Sequence, residues 1–500
     1  MTPKSIKDHL QNIPKGIDAY DVAYGNAMER IYGQEKEHRE FAKLILSLVF
    51  CAARPLSVEE LQHALAVQEN DVEIDMDNIL TIEDICSVCA GLITLDEAFH
   101  EIRFVHYTTQ EYLDRHQQQW IPQARLEMAR RCLWYLSLRE FSLGACKTPS
   151  SVLDRRKTYP FAVYVAADGM ELLNTLFEEC NLSLDADFSC RMLNFIKAMP
   201  VAHSMQQINR YTFYSAKVRA LLTGRRYRKP YLSTTMHWFA FKGWPGLLRL
   251  CLEQGSDINQ QNNQGLTPLF LAASNEKLKA VEFLLAYERS DASATSIEGD
   301  TSSTGADLKS TCLEPVDNRP GKTKMSRNIS CLNANIANHE GITPLGVAAA
   351  NGMPDMVRLL LASDKVDPNV KDRQGRAALS AVIGEQCERR KPLGVLERWA
   401  MEPYNKDRHV AIRALCTSPR VDLNTKDDHG HTPLYYAVQR SGDEPRMLEV
   451  VDLLLRSDTV DTEPGLVNIE AASEEVREAV EKAHRMRQDR LRKGTGVSTV

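Results

Sequence analysis

The sequence predicts a mainly α-helical chain in three parts: a small domain of helices with a β-hairpin, a helical stem, and an α-solenoid with short β-hairpins. Two observations support this prediction. Short motifs recur at a regular interval in the second half of the 500 residues, and such repeats are the signature of stacked helix pairs. In the first half, three helical patterns precede two short β-prone runs.

The bulk composition limits the class of function. The chain has 67 acidic and 61 basic residues and a net charge of −6, so it offers nucleic acid no general attraction. The sequence shows no apolar run of signal-peptide or membrane-spanning length. We therefore expect a cytoplasmic or nuclear protein, of about two to four domains, whose cysteines stay reduced.

Residues 25–119 predict a winged helix. A buried helical pattern in EFAKLILSLVF is followed by Ser57-x-x-Glu60, a capping box that starts a second helix. The run LTIEDICSVCAGL predicts a third helix, and LITLD and EIRFVH predict the two strands of the wing. Three helices followed by a hairpin are the plan of a winged helix.

The string FVHYTTQEYL, Phe104 to Leu113, combines residue types that a catalytic site would also use. The spacing Thr108-x-x-Glu111 instead predicts a second capping box, with Thr108 starting the next helix and His106 forming a hydrogen bond at the junction. A catalytic interpretation would need a third orienting group and an oxyanion site, which the local sequence lacks. We favour the structural interpretation.

The same segments carry a family resemblance. GIDAYDVAYGNAMERIYGQ, AARPLSVEELQHALAV, DICSVCAGLITLD and IRFVHYTTQEYL resemble the segment that follows the nucleotide-binding NACHT module in large fungal NLR-like proteins. That segment is a winged-helix unit also named after GPI inositol-deacylase. The resemblance implies that residues 1–24 are the end of a NACHT-like module and that residues 120–230 form a helical linker domain.

Five motifs define the repeated unit of the second half. They begin at Thr234, Thr267, Thr343, Ala377 and Thr432. The first two are 33 residues apart and the third and fourth 34, whereas the other intervals are longer. Threonine can cap the first helix of a unit, proline fits its first turn, and the preceding glycine permits positive φ in the hairpin. These motifs resemble the ankyrin-repeat family over residues 231–460.

Two insertions account for the longer intervals, near residues 288–337 and 384–408. The first is rich in Ser, Thr, Asp and Gly and poor in apolar residues, so we expect it to be disordered. The second interrupts the fourth unit. Insertions of this kind map to the loops of a solenoid. Residues 461–500 are expected to form a C-terminal capping helix and tail.

No motif predicts catalysis or a bound cofactor. The sequence contains no G-x-x-x-x-G-K-[ST], no G-x-S-x-G and no HExxH, the signatures of phosphate binding, serine hydrolysis and zinc proteolysis. Cys86 and Cys89 have metal-ligand spacing but lie in an apolar helical pattern with no second pair. His429 and His431 coincide with a hairpin of the repeats. We therefore expect no catalytic, cofactor or metal site.

The resemblance to ankyrin repeats implies a partner-binding groove. One position on the first helix of four of the units would face this groove, and two more residues follow one turn later on the last of these helices: Trp238, Leu271, Val347 and Tyr436, then Gln439 and Arg440. The hairpin tips would form a polar rim: Asn262, Asn263, His339, Glu340, Arg373, Gln374 and Asp428. In the alternative interpretation, Trp238 and Tyr436 are core residues that cover repeat junctions.

Three functional hypotheses follow. The first is a non-catalytic scaffold or sensor that presents an ankyrin groove to a protein partner, in NLR-like signalling. The second is a fragment of a nucleotide-driven signalling NTPase whose P-loop domain lies upstream or in another chain. The third is a transcriptional regulator imported through the basic run Lys482–Lys493. We expect no small-molecule substrate. We also expect no nucleic acid partner, because Glu83 and Asp84 make the helix that would read DNA acidic.

Overall fold

The computed structural model describes most of the chain. The described residues are 17–179, 234–287, 331–384, 408–441 and 446–494 without 458, 464–466 and 468–471, together with a few helical residues between 188 and 208. Residues outside this set include most of the two predicted insertions. They also include residues 1–16, which belong to the predicted remnant of a NACHT-like module. Within these residues, no helix has the length and apolar character needed to cross a membrane.

The first domain combines four helices with a three-stranded antiparallel sheet of order β1-β3-β2. Its elements are α1 (Ile17–Tyr32), α2 (Lys36–Cys51), β1 (Leu56–Ser57), α3 (Val58–Ala66), α4 (Ile82–Val88), β2 (Ile93–Asp96) and β3 (Glu101–Phe104). Strands β2 and β3 form the predicted hairpin, with Ile93 opposite Phe104 and Asp96 opposite Glu101. Helix α1 precedes the three predicted helices and continues across the predicted domain boundary at residue 24.

The first predicted capping box is confirmed. The Ser57 hydroxyl accepts a hydrogen bond from the Glu60 backbone N–H at 3.2 Å, and the Glu60 carboxylate accepts one from the Ser57 N–H at 3.0 Å. Two of the four N–H groups that a helix leaves without partners at its start are thereby satisfied. The apolar face of α3 then packs into the domain core, where Leu61 is fully buried.

The second predicted capping box is wrong. Helix α5 (Tyr107–Trp120) begins one residue before Thr108, and its cap is His106, whose Nδ1 accepts a hydrogen bond from the Thr108 N–H at 3.3 Å. Thr108 is buried, and its hydroxyl bonds the Tyr24 hydroxyl of α1 at 2.7 Å. This bond between α1 and α5 holds the threonine inside the helix. The junction hydrogen bond predicted for His106 is confirmed.

The stem follows α5. Its elements are α6 (Ala124–Leu136), α7 (Arg139–Ser142), α8 (Pro149–Thr158), α9 (Phe161–Tyr164), a π-helical segment (Val165–Gly169) and α10 (Met170–Glu179). Aromatic side chains form its core, with the Tyr135 and Phe161 rings perpendicular at 5.2 Å. Helix α6 also packs against α2, which joins the stem to the first domain.

Among the described residues of the second half, five helix pairs form the solenoid and correspond to the five predicted units. We number them repeats 1 to 5: α11 (Thr235–Lys242) with α12 (Pro245–Glu253), α13 (Pro268–Ser274) with α14 (Leu278–Ala286), α15 (Pro344–Ala350) with α16 (Pro354–Ala362), α17 (Ala378–Gly384) with α18 (Arg408–Thr417), and α19 (Pro433–Arg440) with α20 (Arg446–Arg456). The first, inner helices stack on one another, as do the second, outer helices. Helix α21 (Glu474–Gly494) packs against α20.

The repeated threonine has the predicted role. In repeats 1, 2, 3 and 5 its hydroxyl accepts a hydrogen bond from the backbone N–H three residues later. Repeat 4 has Ala377 at this place, yet α17 still forms. Its residues Leu379, Val382 and Ile383 are buried, and packing of an apolar face contributes more to helix stability than a cap does.

Asparagine side chains link each repeat to the next. Asn369 accepts a hydrogen bond from the Asp422 N–H at 2.8 Å and donates one to the Arg420 carbonyl at 3.0 Å. The equivalent Asn259, Asn335 and Asn424 make the same pair of bonds. We call these bonds the asparagine ladder. Asn259 bonds Cys331 and Asn333, so residues 331–337, predicted to belong to the first insertion, are part of the repeats.

Candidate partner-binding face

One Asn or Asp side chain organises each described hairpin. These side chains belong to Asn262, Asn338, Asp372 and Asp427. Each accepts hydrogen bonds from the backbone N–H groups two and four residues later, at 2.8 to 3.0 Å. Such Asx turns fix the backbone of the tip. The prediction placed Asn262 on the exposed rim, but it is 6% exposed, because its side chain is used to build the hairpin.

The other predicted rim residues lie on the surface. Exposed residues occupy the tips of all four described hairpins: Asn263, His339, Glu340, Arg373, Gln374, Asp428 and His429. His429 is not one of the predicted rim residues, but it is exposed at the fourth tip. The tips present side chains of both charges, which suits the polar rim of a protein interface.

The hairpins pack directly against one another. Gly265, Gly341 and Gly375 have positive φ, and a Cβ at each would lie 2.6, 2.6 and 2.3 Å from an atom of the next hairpin. The Asp428 N–H donates a hydrogen bond to the Gln374 carbonyl at 3.1 Å. Glycine is therefore required both by the left-handed backbone and by the close approach. The tips form a continuous row that we call the hairpin row.

The predicted apolar stripe is not on this surface. Trp238 is 1% exposed, Leu271 0% and Val347 3%, because the stacking of the inner helices covers them. The Trp238 ring lies 5.5 Å from that of Trp244. The alternative interpretation, in which large apolar residues of the solenoid are core, describes these three positions.

Of the three predicted groove residues in repeat 5, two contact repeat 4 and one is exposed. Tyr436 is half-buried and lies over the end of α17, where a Cβ on Gly384 would be 3.0 Å from its ring. The Arg440 guanidinium donates a hydrogen bond to the Ile383 carbonyl at 2.5 Å, so it caps the C-terminus of α17. Both residues tie repeat 5 to repeat 4, whereas Gln439 is exposed.

An aromatic and acidic cluster lies next to the last hairpin. The rings of His431 and Tyr435 stack in parallel at 3.9 Å, and the Tyr436 hydroxyl donates a hydrogen bond to the Asp427 carboxylate. Burial alone would raise the pKa of Asp427, but the bonds from Tyr436 and the backbone lower it below its usual value. Burial, and next the hydrogen bond to Asp427, raise the pKa of Tyr436. The recurrence of Asn or Asp three residues before the hairpin glycine was the sequence signal that could have found the position of Asp427.

A small groove opens beside the hairpin row between repeats 3 and 4. Its volume is about 30 Å³, and its lining includes Ile342, Gly346, Ala350, Arg376 and Ala381. The groove exists because three of these residues are glycine or alanine. A space of this size accepts one short side chain, whereas small-molecule sites usually measure about 300 Å³ or more.

The residues considered as metal ligands are not arranged as a site. Among the described residues, no group of three or more His, Cys, Asp and Glu side chains could hold a metal ion. Cys89 is buried at the end of α4, and burial raises the pKa of both its thiol and that of Cys86. The burial of Cys89 fits the predicted packing role, and Cys86 is half-buried beside it.

Comparisons with known proteins agree with this architecture. The family model described as the GPI inositol-deacylase winged helix domain matches residues 28–120. The model for ankyrin repeats in many copies matches residues 236–285, and the model for a single ankyrin repeat matches residues 340–373 and 429–464. Repeat 4 lies outside these matches although the structure contains both of its helices.

Among solved structures, an ankyrin repeat protein, EF0377, is similar over 55% of this chain and 99% of its own, with 16% identity and a TM-score of 0.30. The comparison with curated proteins gave no match. A winged helix of the GPI inositol-deacylase type is thus followed in this chain by ankyrin repeats, which support a role in protein interaction.

Proposed function

We propose that the chain is a non-catalytic scaffold or sensor that binds a protein partner through the hairpin row and the groove beside it. The observation that supports this most directly is the row itself. Its tips are exposed in four consecutive hairpins and are held by Asn and Asp side chains and backbone contacts. A surface fixed before binding loses little conformational entropy when a partner docks.

The chemistry of the surface favours a polypeptide with mixed polar side chains. Arg373 and His339 lie on the same row as Glu340 and Asp428, so neither a polyanion nor a polycation fits all tips. The exposed Glu83 and Asp84 of α4 would repel nucleic acid phosphates at the winged helix. The groove would accept one short side chain of the partner between these polar contacts.

The test compares partner capture by the full chain and by hairpin-row variants. We expect Arg373→Ala combined with His339→Ala to weaken binding of the captured protein by about tenfold, as loss of interface contacts commonly does, with an unchanged melting temperature. The matched control is Arg358→Ala on the outer helix α16, where the arginine is 57% exposed and pairs with Asp355. A partner that binds the double variant and the control equally well would contradict the proposal.

We further propose that this scaffold acts in NLR-like signalling, in the cytoplasm or the nucleus. The support is the resemblance of the winged-helix segments to those that follow a NACHT module. The alternative is a fragment of a nucleotide-driven NTPase, and a P-loop in the genomic sequence upstream would favour it. Localisation with and without Lys482–Lys493 tests the nuclear option.

A further inference from the structure

The stem supplies a helix cap to the solenoid. Helix α12 of repeat 1 begins after Trp244, which forms no side-chain cap. Asn174 of the stem helix α10 takes this role, because its Oδ1 accepts hydrogen bonds from the N–H groups of Gly246 at 3.0 Å and Leu247 at 3.4 Å. Asn174 is 3% exposed. An isolated repeat 1 would leave these N–H groups without this partner.

The backbones of the stem and repeat 1 approach closely at the same place. A Cβ on Gly246 would lie 2.7 Å from the Asn174 carbonyl oxygen, so only glycine fits. The indole N–H of Trp244, 2% exposed, donates a hydrogen bond to the Glu171 carboxylate of α10. The contact therefore combines a fitted backbone, a cap and a buried aromatic side chain, all between α10 and the start of α12.

A line of charges extends this contact to the winged helix. Arg54 forms two hydrogen bonds with Glu60 of α3, at 2.6 and 2.7 Å, and its Nε lies 3.3 Å from Asp168. Asp168 belongs to the π-helical segment that precedes α10. Burial raises the pKa of Asp168, while the charges of Arg54 and of Lys242 in repeat 1 act in the opposite direction. Asp168 is thus paired with a cation of the first domain, and the positive charge of Lys242 in the solenoid also acts on it.

The π-helical segment carries Asp168 and leads into α10. Such segments are rare and add one residue to a helical turn. Here the segment packs tightly on α6, where a Cβ on Gly169 would lie 2.8 Å from the Cys132 Sγ. The neighbouring Asp168 is 30% exposed and Arg54 37%, so the charges lie at the edge of the junction and the Asn174 cap at its centre.

We propose that α10 and its π-helical segment form the N-terminal cap of the ankyrin solenoid and make the winged helix, stem and repeat 1 a single cooperative unit. In a solenoid each repeat is stabilised by its neighbours, so the first repeat needs a cap. The stem provides this cap, and the Arg54–Asp168 pair joins the stem to the winged helix.

Hydrogen exchange of the full chain tests the cap. Losing a helix cap favours local opening by about fivefold, so in Asn174→Ala we expect the amides of α12 to exchange about fivefold faster and those of α15 and α16 to be unchanged. The matched control is Thr343→Ala, which removes the cap of α15 and should accelerate exchange there but not in α12. Unchanged exchange of α12 in Asn174→Ala, or an equal rise across all repeats, would overturn the proposal.

A second variant tests the link to the winged helix. Asp168→Asn keeps the volume of the side chain and removes its charge, so it should fold even where a larger change would not. We expect faster hydrogen exchange on both sides of the junction, at residues 52–60 and at residues 242–248. We also expect a broader distribution of interatomic distances in small-angle X-ray scattering. Faster exchange on one side alone, or no change, would show that the two parts are not coupled through this residue.

Discussion

His237 shows how burial of one titratable side chain affects stability. Its Nε2 lies 3.1 Å from the Leu266 carbonyl and its Nδ1 2.7 Å from the Thr234 hydroxyl. Burial lowers its pKa below 6.5, although hydrogen bonds to the backbone act in the opposite direction. The unfolded chain therefore binds this proton more readily than the folded chain does.

We expect the melting temperature to stay level above about pH 6.5, where the imidazole is neutral in both states, and to fall as the pH drops below that value. The variant His237→Gln should have a smaller fall, since it has no proton to bind. Melting curves between pH 7.5 and 5 measure the difference. Burial also lowers the pKa values of His63 and His409. These two residues should keep part of the pH dependence of the melting temperature in the variant. Equal slopes for both proteins would contradict this account.

Two glycines of repeat 3 should respond in opposite ways to the same substitution. Gly346 lies in α15, and a Cβ there would be 3.4 Å from its nearest neighbours, so Gly346→Ala should keep or raise stability, by at most about 1 kcal/mol. Gly341 has φ +83, and a Cβ there would lie 2.6 Å from the Arg373 backbone nitrogen. We expect Gly341→Ala to lose about 1 to 3 kcal/mol. Chemical denaturation of the two variants measures this contrast, and equal effects would refute it.

Single residues also show where sequence reasoning stops. Ser57 and Thr108 both match the capping-box pattern, yet only Ser57 caps a helix. The difference depends on Tyr24, which bonds Thr108 from 84 positions away. The burial of Trp238 likewise depends on how closely the next helix stacks. A local sequence pattern shows neither a contact with a distant residue nor how closely the next helix stacks.

At the scale of elements, the asparagine ladder offers a direct measurement of the coupling between repeats. Asn369→Ala would remove two hydrogen bonds between repeats 3 and 4. Because each such bond contributes about 0.5 to 1.5 kcal/mol net, we expect a loss of about 1 to 3 kcal/mol. Denaturation should also become less cooperative, as nearest-neighbour coupling predicts. A variant as stable and cooperative as the wild type would show that helix packing alone couples the repeats.

The helices of the solenoid were predictable because a regular period and a capping motif mark them. Repeat 4 could be placed even without its Thr-Pro, since its distance from Thr343 defines it. The cap provided by Asn174 was not predictable, because Asn174 and Gly246 are 72 positions apart and neither belongs to a motif. The π-helical segment was equally hidden, since its residues also fit an ordinary α-helix. Of the partner-binding face, the tips were predictable from the hairpin motif.

At the scale of the whole molecule, the first insertion should be dispensable for folding. The Asn259 side chain bonds the Cys331 carbonyl at 2.7 Å and the Asn333 N–H at 2.8 Å, so the chain that follows the insertion is held on the solenoid by the asparagine ladder. Changing the length of a flexible loop costs little, about 0.6 kcal/mol per doubling. Deleting Ser290 to Asn328 should therefore leave the melting temperature nearly unchanged. A large decrease in thermal scans would show that the insertion contributes folded structure.

The asparagine ladder also determines how the solenoid would respond to a pulling force. Each described rung joins one repeat to the next, and the last reaches from Asn424 to Asp461 beyond repeat 5. A chain stretched between its ends would load these rungs one after another rather than all together. The repeats would yield individually and could close again when the tension is released. The solenoid would then lengthen and shorten in separate steps, while the stem holds its first repeat in place.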